Sequence, residues 1–188
     1  MSSLKPTTRK PAAVRRAEIL DAAAAQFART GLAGTSLETI AAGIDVSHPR
    51  VVQMFGSKRA LFLDALSATY ERVGAEFDAA GPVADAPVPL AALGEAYRRL
   101  LARDPNVGLL ILQGYAASGD ESVRTAAARH HTQLERKITT LTAATSFEVR
   151  TFIATGLVIT VSTALGLRGR RKDEAWAATL LSSFSAET

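Results

Sequence analysis

Apolar side chains recur every three to four residues along almost the whole chain, and no segment shows the strict alternation of a half-buried strand. Glycine, proline, serine and aspartate interrupt this spacing and mark the ends of separate helices. With 47% hydrophobic residues among 188, the chain can also bury a core. The sequence therefore predicts an all-α fold of about nine helices.

Positive charge is concentrated in the first third of the chain. Residues 1–62 hold nine Lys or Arg against four Asp or Glu, whereas the remainder holds thirteen against fourteen. A local excess of cations favours phosphate binding through the release of counterions, although a solvated basic tail would have the same composition. The N-terminal third is therefore the candidate nucleic-acid-binding region.

Several classes of protein are excluded by composition. The absence of cysteine rules out disulfides, thiolate metal ligands and cysteine nucleophiles. The basic residues 1–10 are not followed by the apolar stretch of a secretory signal, because Arg15 and Arg16 interrupt it. The longest charge-free run, Thr151–Leu167, carries several hydroxyl side chains and is interpreted as buried in protein. A cytoplasmic protein without a membrane segment is expected.

The first two helices are marked by a glycine and by a capping pattern. An apolar stripe begins near Val14 and stops at Gly31, which predicts one helix. Thr35 and Glu38 have the spacing of a capping box, so Thr35 is expected to cap a short second helix that ends near Gly43.

The next turn and two further helices follow directly. Asp45 lies in the turn, where aspartate tolerates the left-handed conformation better than most residues. Ser47 is expected to cap a third helix, and Pro49 fits its first turn, where spare N–H groups are available. Ser57 is expected to cap a fourth helix that begins at Lys58.

This order of helices matches the helix-turn-helix plan, although a generic helical hairpin would look similar. The individual residues are more specific, and over roughly 14–66 they resemble the DNA-binding domain of the TetR family of transcription regulators. The segments that carry the resemblance are Ile19–Ala23, Phe27, Gly31, Gly34–Leu37, Ile40–Ala41, Val46–Ser47 and Phe55–Lys58.

The resemblance implies both a division of the chain and a function. Residues 1–13 would form a flexible basic arm, 14–74 a DNA-binding domain with its helix-turn-helix at about 36–55, and 75–188 a helical domain for dimerisation and effector binding. The implied protein is a ligand-responsive repressor without cofactor or enzymatic activity, which binds a palindromic operator of double-stranded DNA as a homodimer. Helix four, which joins both parts, would transmit the response to the effector.

The third helix is about 10 Å long and suits a major groove about 12 Å wide. Arg50 can pair with guanine and Gln53 with adenine, while Val51 could meet a thymine methyl group. Contacts to phosphate or water are the alternative for both polar residues. Lys58, a cation at a helix start, requires an anion, and the resemblance implies a phosphate. The predicted DNA-binding residues are Thr35, Ser36, Ser47, His48, Pro49, Arg50, Val51, Gln53 and Lys58.

Three residues depart from the family pattern. Asp45 and Pro49 stand where glycine is common, and Val52 stands where many members have a phosphate-contacting tyrosine. One backbone contact is therefore expected to be missing, which keeps open a helical adaptor that has lost DNA binding. A metal enzyme is a weaker alternative, since His131 and Glu135 lie one helical turn apart, beside His130, without an evident third ligand.

The C-terminal part offers candidates for an effector pocket and a dimer interface. A small lipophilic effector is expected among aromatic and polar residues of neighbouring helices, although plain core packing explains the same residues. The apolar helix at 151–167 must be covered on every side, which favours a partner copy over a purely intramolecular core. The pocket candidates are Tyr97, Gln113, Tyr115, Phe147 and Phe152; the interface candidates are Leu157, Val161, Leu165, Trp176, Leu180 and Phe184.

Overall fold

The computed structural model describes residues 11–81 and 89–167, which form eight α-helices. The predicted all-α fold is confirmed for this part of the chain. Residues 1–10 of the basic arm predicted at 1–13 lie outside the described residues, as does the chain after residue 167. Ala12 and Ala13, which the prediction placed in the arm, belong to α1. The helices are α1 (Ala12–Gly34), α2 (Leu37–Ala42), α3 (His48–Phe55), α4 (Lys58–Ala79), α5 (Leu90–Arg103), α6 (Asn106–Ala116), α7 (Glu121–Thr142) and α8 (Ser146–Ala164).

Helices α1–α3 and the first turns of α4 form one packed unit, which we call the head. The Phe27 and Phe62 rings meet edge to face at 5.0 Å in its core. Asp45 has a φ of 51° and so adopts the expected left-handed turn. Ser57 accepts a hydrogen bond from the Ala60 backbone N–H and caps α4 as predicted. These local signals therefore fix the short helices of the head.

Two predicted caps are wrong. Ser36, not Thr35, caps α2, because its hydroxyl accepts the Thr39 N–H at 3.1 Å. Ser47 precedes α3 but makes no cap hydrogen bond with its side chain. The first N–H groups of α3 need less capping, because Pro49 has no N–H and lies in the first turn.

Helices α5–α8 and the remainder of α4 form the body. Helix α4 runs through both units, and α1 packs along α6. The contact with α6 lies at Gly31, where α1 is interrupted by a φ of 68°. A Cβ atom at Gly31 would stand 2.7 Å from the Gln113 Oε1 atom of α6. Glycine therefore permits both the break in α1 and its close approach to α6.

Helix α8 is the least covered helix of the body. Its N-cap Thr145 and Glu148 form a complete capping box, whereas only Val149 and Thr160 are buried within the helix. Its length and hydropathy would also suit a membrane span, which is weak evidence for a single helix. Its buried side packs against α5, α6 and α7.

Candidate DNA-binding helix and ligand cavity

Helix α3 is anchored on its inner side by Val51 and Phe55, both of which are buried. The Arg16 guanidinium of α1 lies over the Phe55 ring, with its carbon 4.2 Å from the ring centroid. The same guanidinium donates to the Met54 carbonyl at 3.2 Å and pairs with the Asp64 carboxylate at 2.5 Å. Arg16 thus ties the C-terminal end of α3 to α1 and α4, a role that sequence reasoning missed.

The N-terminal end of α3 is tied to α2. The His48 Nε2 atom lies 3.4 Å from the Glu38 carboxylate. The Glu38 carboxylate accepts hydrogen bonds from the Glu38 backbone amide and from the Ser36 hydroxyl, and these bonds hold the pKa of the Glu38 carboxyl below its usual value. Glu38 therefore stays ionised and faces His48 at the first turn of α3.

Arg50 and Gln53 lie on the outer side of α3. Gln53 is exposed and Arg50 is half-buried, and the guanidinium donates to the Gln53 side-chain oxygen at 2.8 Å. Pro49 and Ser47 are exposed at the same end of the helix. The two polar side chains are thus held next to each other, with donor groups available to a partner outside the protein.

Two of the predicted DNA contacts are contradicted by burial. Val51 is 0% exposed, so its methyl groups cannot meet a thymine. The same helical spacing that makes Val51 an anchor of α3 turns it away from solvent. Thr35 is 3% exposed, and its hydroxyl donates to the Gly31 carbonyl at 2.7 Å, so this side chain is unavailable to a phosphate.

Lys58 finds its negative partner inside the protein. Its ammonium group donates to the carbonyls of Thr35 at 2.8 Å and Ala33 at 3.3 Å, at the C-terminal end of α1. A cation is favourable there, because the last carbonyls of a helix carry partial negative charge. Since an ammonium has three donors, one remains for a further acceptor.

A cavity of about 190 Å³ lies within the body, between α4 and α8. Of the predicted pocket residues, Tyr97, Tyr115 and Phe152 line it. Sequence reasoning missed the contributions of α4 and α7, because their apolar residues look like ordinary core residues in the sequence. The further lining residues are Tyr70, Val73, Phe77, Ile111, His131, Leu134, Ile138, Ile153, Ala154, Gly156, Leu157 and Thr160.

Two of the predicted pocket residues do not line this cavity. Gln113 does not line the cavity, because it lies on the side of α6 that faces Gly31 of α1. Phe147 is 54% exposed at the start of α8 and does not line it either. The spacing of a helix shows that residues share a face, but not which neighbouring helix that face meets.

The polar groups of the cavity are hydrogen-bonded to one another. Tyr70 donates to the Tyr115 hydroxyl at 3.2 Å, and Tyr115 lies 3.3 Å from the His131 Nδ1 atom. On the other side, the Tyr97 and Thr160 hydroxyls are 2.7 Å apart. Burial raises the pKa of both Tyr70 and Tyr97, so these phenols stay protonated.

No metal centre accompanies these groups in residues 11–81 and 89–167, where no cluster of three or more ligating side chains occurs. His131 Nε2 lies 3.8 Å from Glu135 Oε1, which is an ion-pair distance. His130 points elsewhere and stacks on the Tyr70 ring at 5.1 Å. The three residues of the metal hypothesis therefore do not converge on one point.

The three described interface candidates share one uncovered strip along α8 and its C-cap, Leu165. Leu157, Val161 and Leu165 are 44%, 40% and 66% exposed, and their spacing of four residues places them on one side of the helix. The other three interface candidates, Trp176, Leu180 and Phe184, lie outside the described residues. The strip is apolar and therefore unfavourable in water.

A short anchored helix with outward Arg50 and Gln53, on an all-helical body, is the arrangement found in helix-turn-helix DNA-binding proteins. The comparisons with known proteins agree. Residues 19–65 match the family model described as bacterial regulatory proteins of the tetR family. No curated protein matches the sequence. Residues 19–65 are thus a TetR-family N-terminal domain, and the chain has the fold of TetR-family transcription regulators.

Solved structures extend this likeness to nearly the whole chain. A TetR-like transcriptional regulator from Rhodococcus sp. RHA1 has a TM-score of 0.69 at 23% identity, covering 93% of this chain and 95% of its own. A TetR-family member from Streptomyces coelicolor A3 has 0.65 at 24%, covering 90% and 96%. The multidrug binding protein EbrR in complex with imidazole has 0.61 at 26%, covering 93% and 95%.

Proposed function

We propose that the chain is a ligand-responsive repressor that binds a palindromic operator as a homodimer. Its residues 14–74 act as the DNA-binding domain and 75–188 as the dimerisation and effector domain, with a basic arm at 1–13. The protein acts in the cytoplasm and catalyses no reaction. The observation that carries this proposal is the outward pair Arg50 and Gln53 on a helix whose other side is buried.

The DNA contact follows from the geometry of α3. Arg50 and Gln53 pair with each other in the free protein and exchange that bond for base edges in the major groove. The DNA backbone is contacted by residues at the N-terminal ends of α2 and α3, namely Ser36, Ser47, His48 and Pro49. The third ammonium proton of Lys58 reaches a phosphate while the other two hold α1.

Selection of bound fragments from random DNA tests this proposal. The expected result is a two-fold symmetric motif whose half-sites are about one helical turn or more apart. The Arg50→Ala variant should lose about 1–3 kcal/mol of preference at one position of each half-site. Arg99→Ala, which removes an equal charge from α5 in the body, is the matched control. Failure to enrich any motif, or equal effects of both variants, would contradict the proposal.

Dimerisation is proposed through the strip of Leu157, Val161 and Leu165. A second copy would cover this apolar side of α8, and two-fold symmetry suits a palindromic site. Val161→Asp should shift the protein to monomers in sedimentation velocity, because a carboxylate would be buried without a partner. Arg150→Asp changes another exposed residue of α8 and should leave the dimer intact. A Val161→Asp protein that still sediments as a dimer would exclude this interface.

The cavity is proposed as the effector site. The structurally similar protein EbrR was solved with imidazole and with proflavin, which supports a ligand-binding body in this fold. Helix α4 joins Tyr70 and Phe77 of the cavity to Lys58 in the head, and α6 joins Tyr115 to Gln113 beside Gly31. A ligand that shifts α4 and α6 would change the spacing of the two recognition helices and release DNA.

A further inference from the structure

The lining of the cavity carries no carboxylate, ammonium or guanidinium group among its fifteen described residues. Five of them contribute aromatic rings: Tyr70, Phe77, Tyr97, Tyr115 and Phe152. An ion moved into such a space loses its hydration without gaining a counter-charge, which is costly. The described lining therefore disfavours charged ligands of either sign.

The volume restricts the size of the ligand. A cavity of about 150 Å³ lined by apolar side chains is sufficient for benzene. At about 190 Å³, the cavity of this protein holds one aromatic ring with one or two small substituents. Rings in the lining favour an aromatic ligand through edge-to-face or offset stacking.

The hydroxyl protons of the lining are already committed inside the protein. The Thr160 hydroxyl donates to the Gly156 carbonyl at 2.8 Å, so Tyr97 is the donor in the Tyr97–Thr160 pair. On the other side, Tyr70 donates to Tyr115. Because Tyr115 already accepts from Tyr70, its own proton is assigned to the bond with the His131 Nδ1 atom, 3.3 Å away.

Both chains of hydrogen bonds begin at a phenol that receives no donor from the described residues. The Tyr70 and Tyr97 oxygens therefore offer lone pairs, and no lining hydroxyl offers a free proton. A buried acceptor is best satisfied by a donor on the ligand. We infer that the cavity selects an uncharged, single-ring aromatic compound that carries a hydrogen-bond donor, such as a small phenol, over charged or acceptor-only analogues of equal size.

This inference rests on the cavity being the effector site, but it is tested without DNA. Calorimetric titration of the full chain would compare 4-methylphenol with p-xylene, 4-methylanisole, benzylammonium and benzoate. One additional hydrogen bond should make 4-methylphenol bind about 2- to 12-fold more tightly than p-xylene and 4-methylanisole. Both ions should bind at least about tenfold more weakly than the phenol.

Tyrosine-to-phenylalanine variants assign the contacts, since they keep the rings. Y70F with Y97F should remove the preference for 4-methylphenol over p-xylene. Y115F should instead free the Tyr70 proton and strengthen binding of the acceptor-only 4-methylanisole. Circular dichroism would verify that each variant is folded.

Three results would overturn the inference: no binding of 4-methylphenol at millimolar concentration, an ion that binds as tightly, or a Y115F variant with unchanged affinity for 4-methylanisole. DNA release is measured separately. Binding of the phenol without loss of operator affinity would contradict the proposed effector role and leave the ligand class intact.

Discussion

The head and the body use polar side chains in opposite ways. In the head, Arg50 and Gln53 lie on the outer side of α3 and bond to each other. In the body, Tyr70, Tyr97 and Thr160 are buried around a cavity; Tyr97 bonds to Thr160, and Tyr70 bonds to the half-buried Tyr115. The head is therefore suited to a large hydrated partner, whereas the body is suited to a small ligand that leaves water.

The two units also differ in how they are held together. Turns and caps set the short helices of the head, and Arg16 and Lys58 tie these helices together, whereas the cavity is shaped by contacts between the helices of the body. The units meet where Gln113 of α6 approaches Gly31 of α1. Substitutions at this contact and at the caps can therefore show whether the head and the body are stabilised independently of each other.

Gly31→Ala should produce the largest effect, because it affects both units. A φ of 68° with a ψ of 179° is essentially restricted to glycine, so alanine there should lower the free energy of unfolding by about 1–3 kcal/mol. Urea denaturation measures this loss. Gly34→Ala is the matched control, since its Cβ would make only an ordinary contact of 3.4 Å with Thr30.

The double variant Gly31→Ala with Gln113→Ala separates the two causes of the loss. Removal of the Gln113 side chain relieves the contact at 2.7 Å but leaves the backbone conformation unchanged. We therefore expect little recovery. A full recovery would show that the contact with the body, and not the local backbone, makes glycine necessary.

Lys58→Met should have the next largest effect and should test the head alone. The ammonium satisfies two carbonyls at the end of α1, and because it is only half-buried we expect its loss to cost about 1–2 kcal/mol. Its neighbour Arg59 is a matched control, because its ion pair with Asp120 at 2.8 Å lies on the surface. Arg59→Met should cost less than about 1 kcal/mol in urea denaturation. Equal losses would argue against the anchoring role of Lys58.

Ser36→Ala and Ser47→Ala form a pair with similar sequence context and different structural roles. Loss of the Ser36 hydroxyl removes the cap of α2 and should cost about 1 kcal/mol. Ser47 makes no cap hydrogen bond, so its substitution should cost only a few tenths of a kcal/mol. Thermal unfolding of both variants gives the comparison. A larger loss for Ser47→Ala would show that the sequence pattern, and not the observed geometry, describes α3.

The caps show how far sequence reasoning reaches in this chain. Proline and aspartate, which mark helix ends in the sequence, stand directly before α5 and α7 at Pro89 and Asp120. The cap of α2 was predicted at Thr35 and lies at Ser36, an error of one residue, because both residues carry a hydroxyl and both precede the same helix. Val51 was predicted as a DNA contact, and its burial shows that the apolar spacing shared by Val51 and Phe55 is the better guide to its position.

The cavity lies beyond such reasoning for a physical reason. Tyr70 and Phe77 lie on a helix whose apolar spacing predicts core packing equally well. Whether a buried side chain fills space or borders a cavity depends on helices far away in the sequence. Gln113 shows the same limit. It was predicted to line a pocket, but its side chain faces Gly31 of α1.

The smallest expected effect concerns His130, where the body again buries a polar group. Burial lowers the pKa of His130, and the nearby Arg129 charge lowers it further, against smaller opposing effects of Gln133 and Glu71. The folded state therefore binds this proton less readily than the unfolded state, in which the pKa is about 6.5. Stability from this group is present above pH 6.5 and is lost as the pH falls below it.

Urea denaturation at pH 7 and pH 6 would measure the effect. If His130 stays neutral in the folded state, the free energy of unfolding falls by at most about 0.7 kcal/mol between pH 7 and pH 6 because of this residue. His130→Gln should reduce the dependence on pH by up to that amount, whatever its effect on absolute stability. The Tyr70 ring that stacks on His130 also lines the cavity. If a bound phenol leaves this stack in place, wild type and His130→Gln should differ in the pH dependence of their stability by the same amount with and without the phenol. An identical pH dependence of the two free proteins would show that His130 titrates as it does in the unfolded chain.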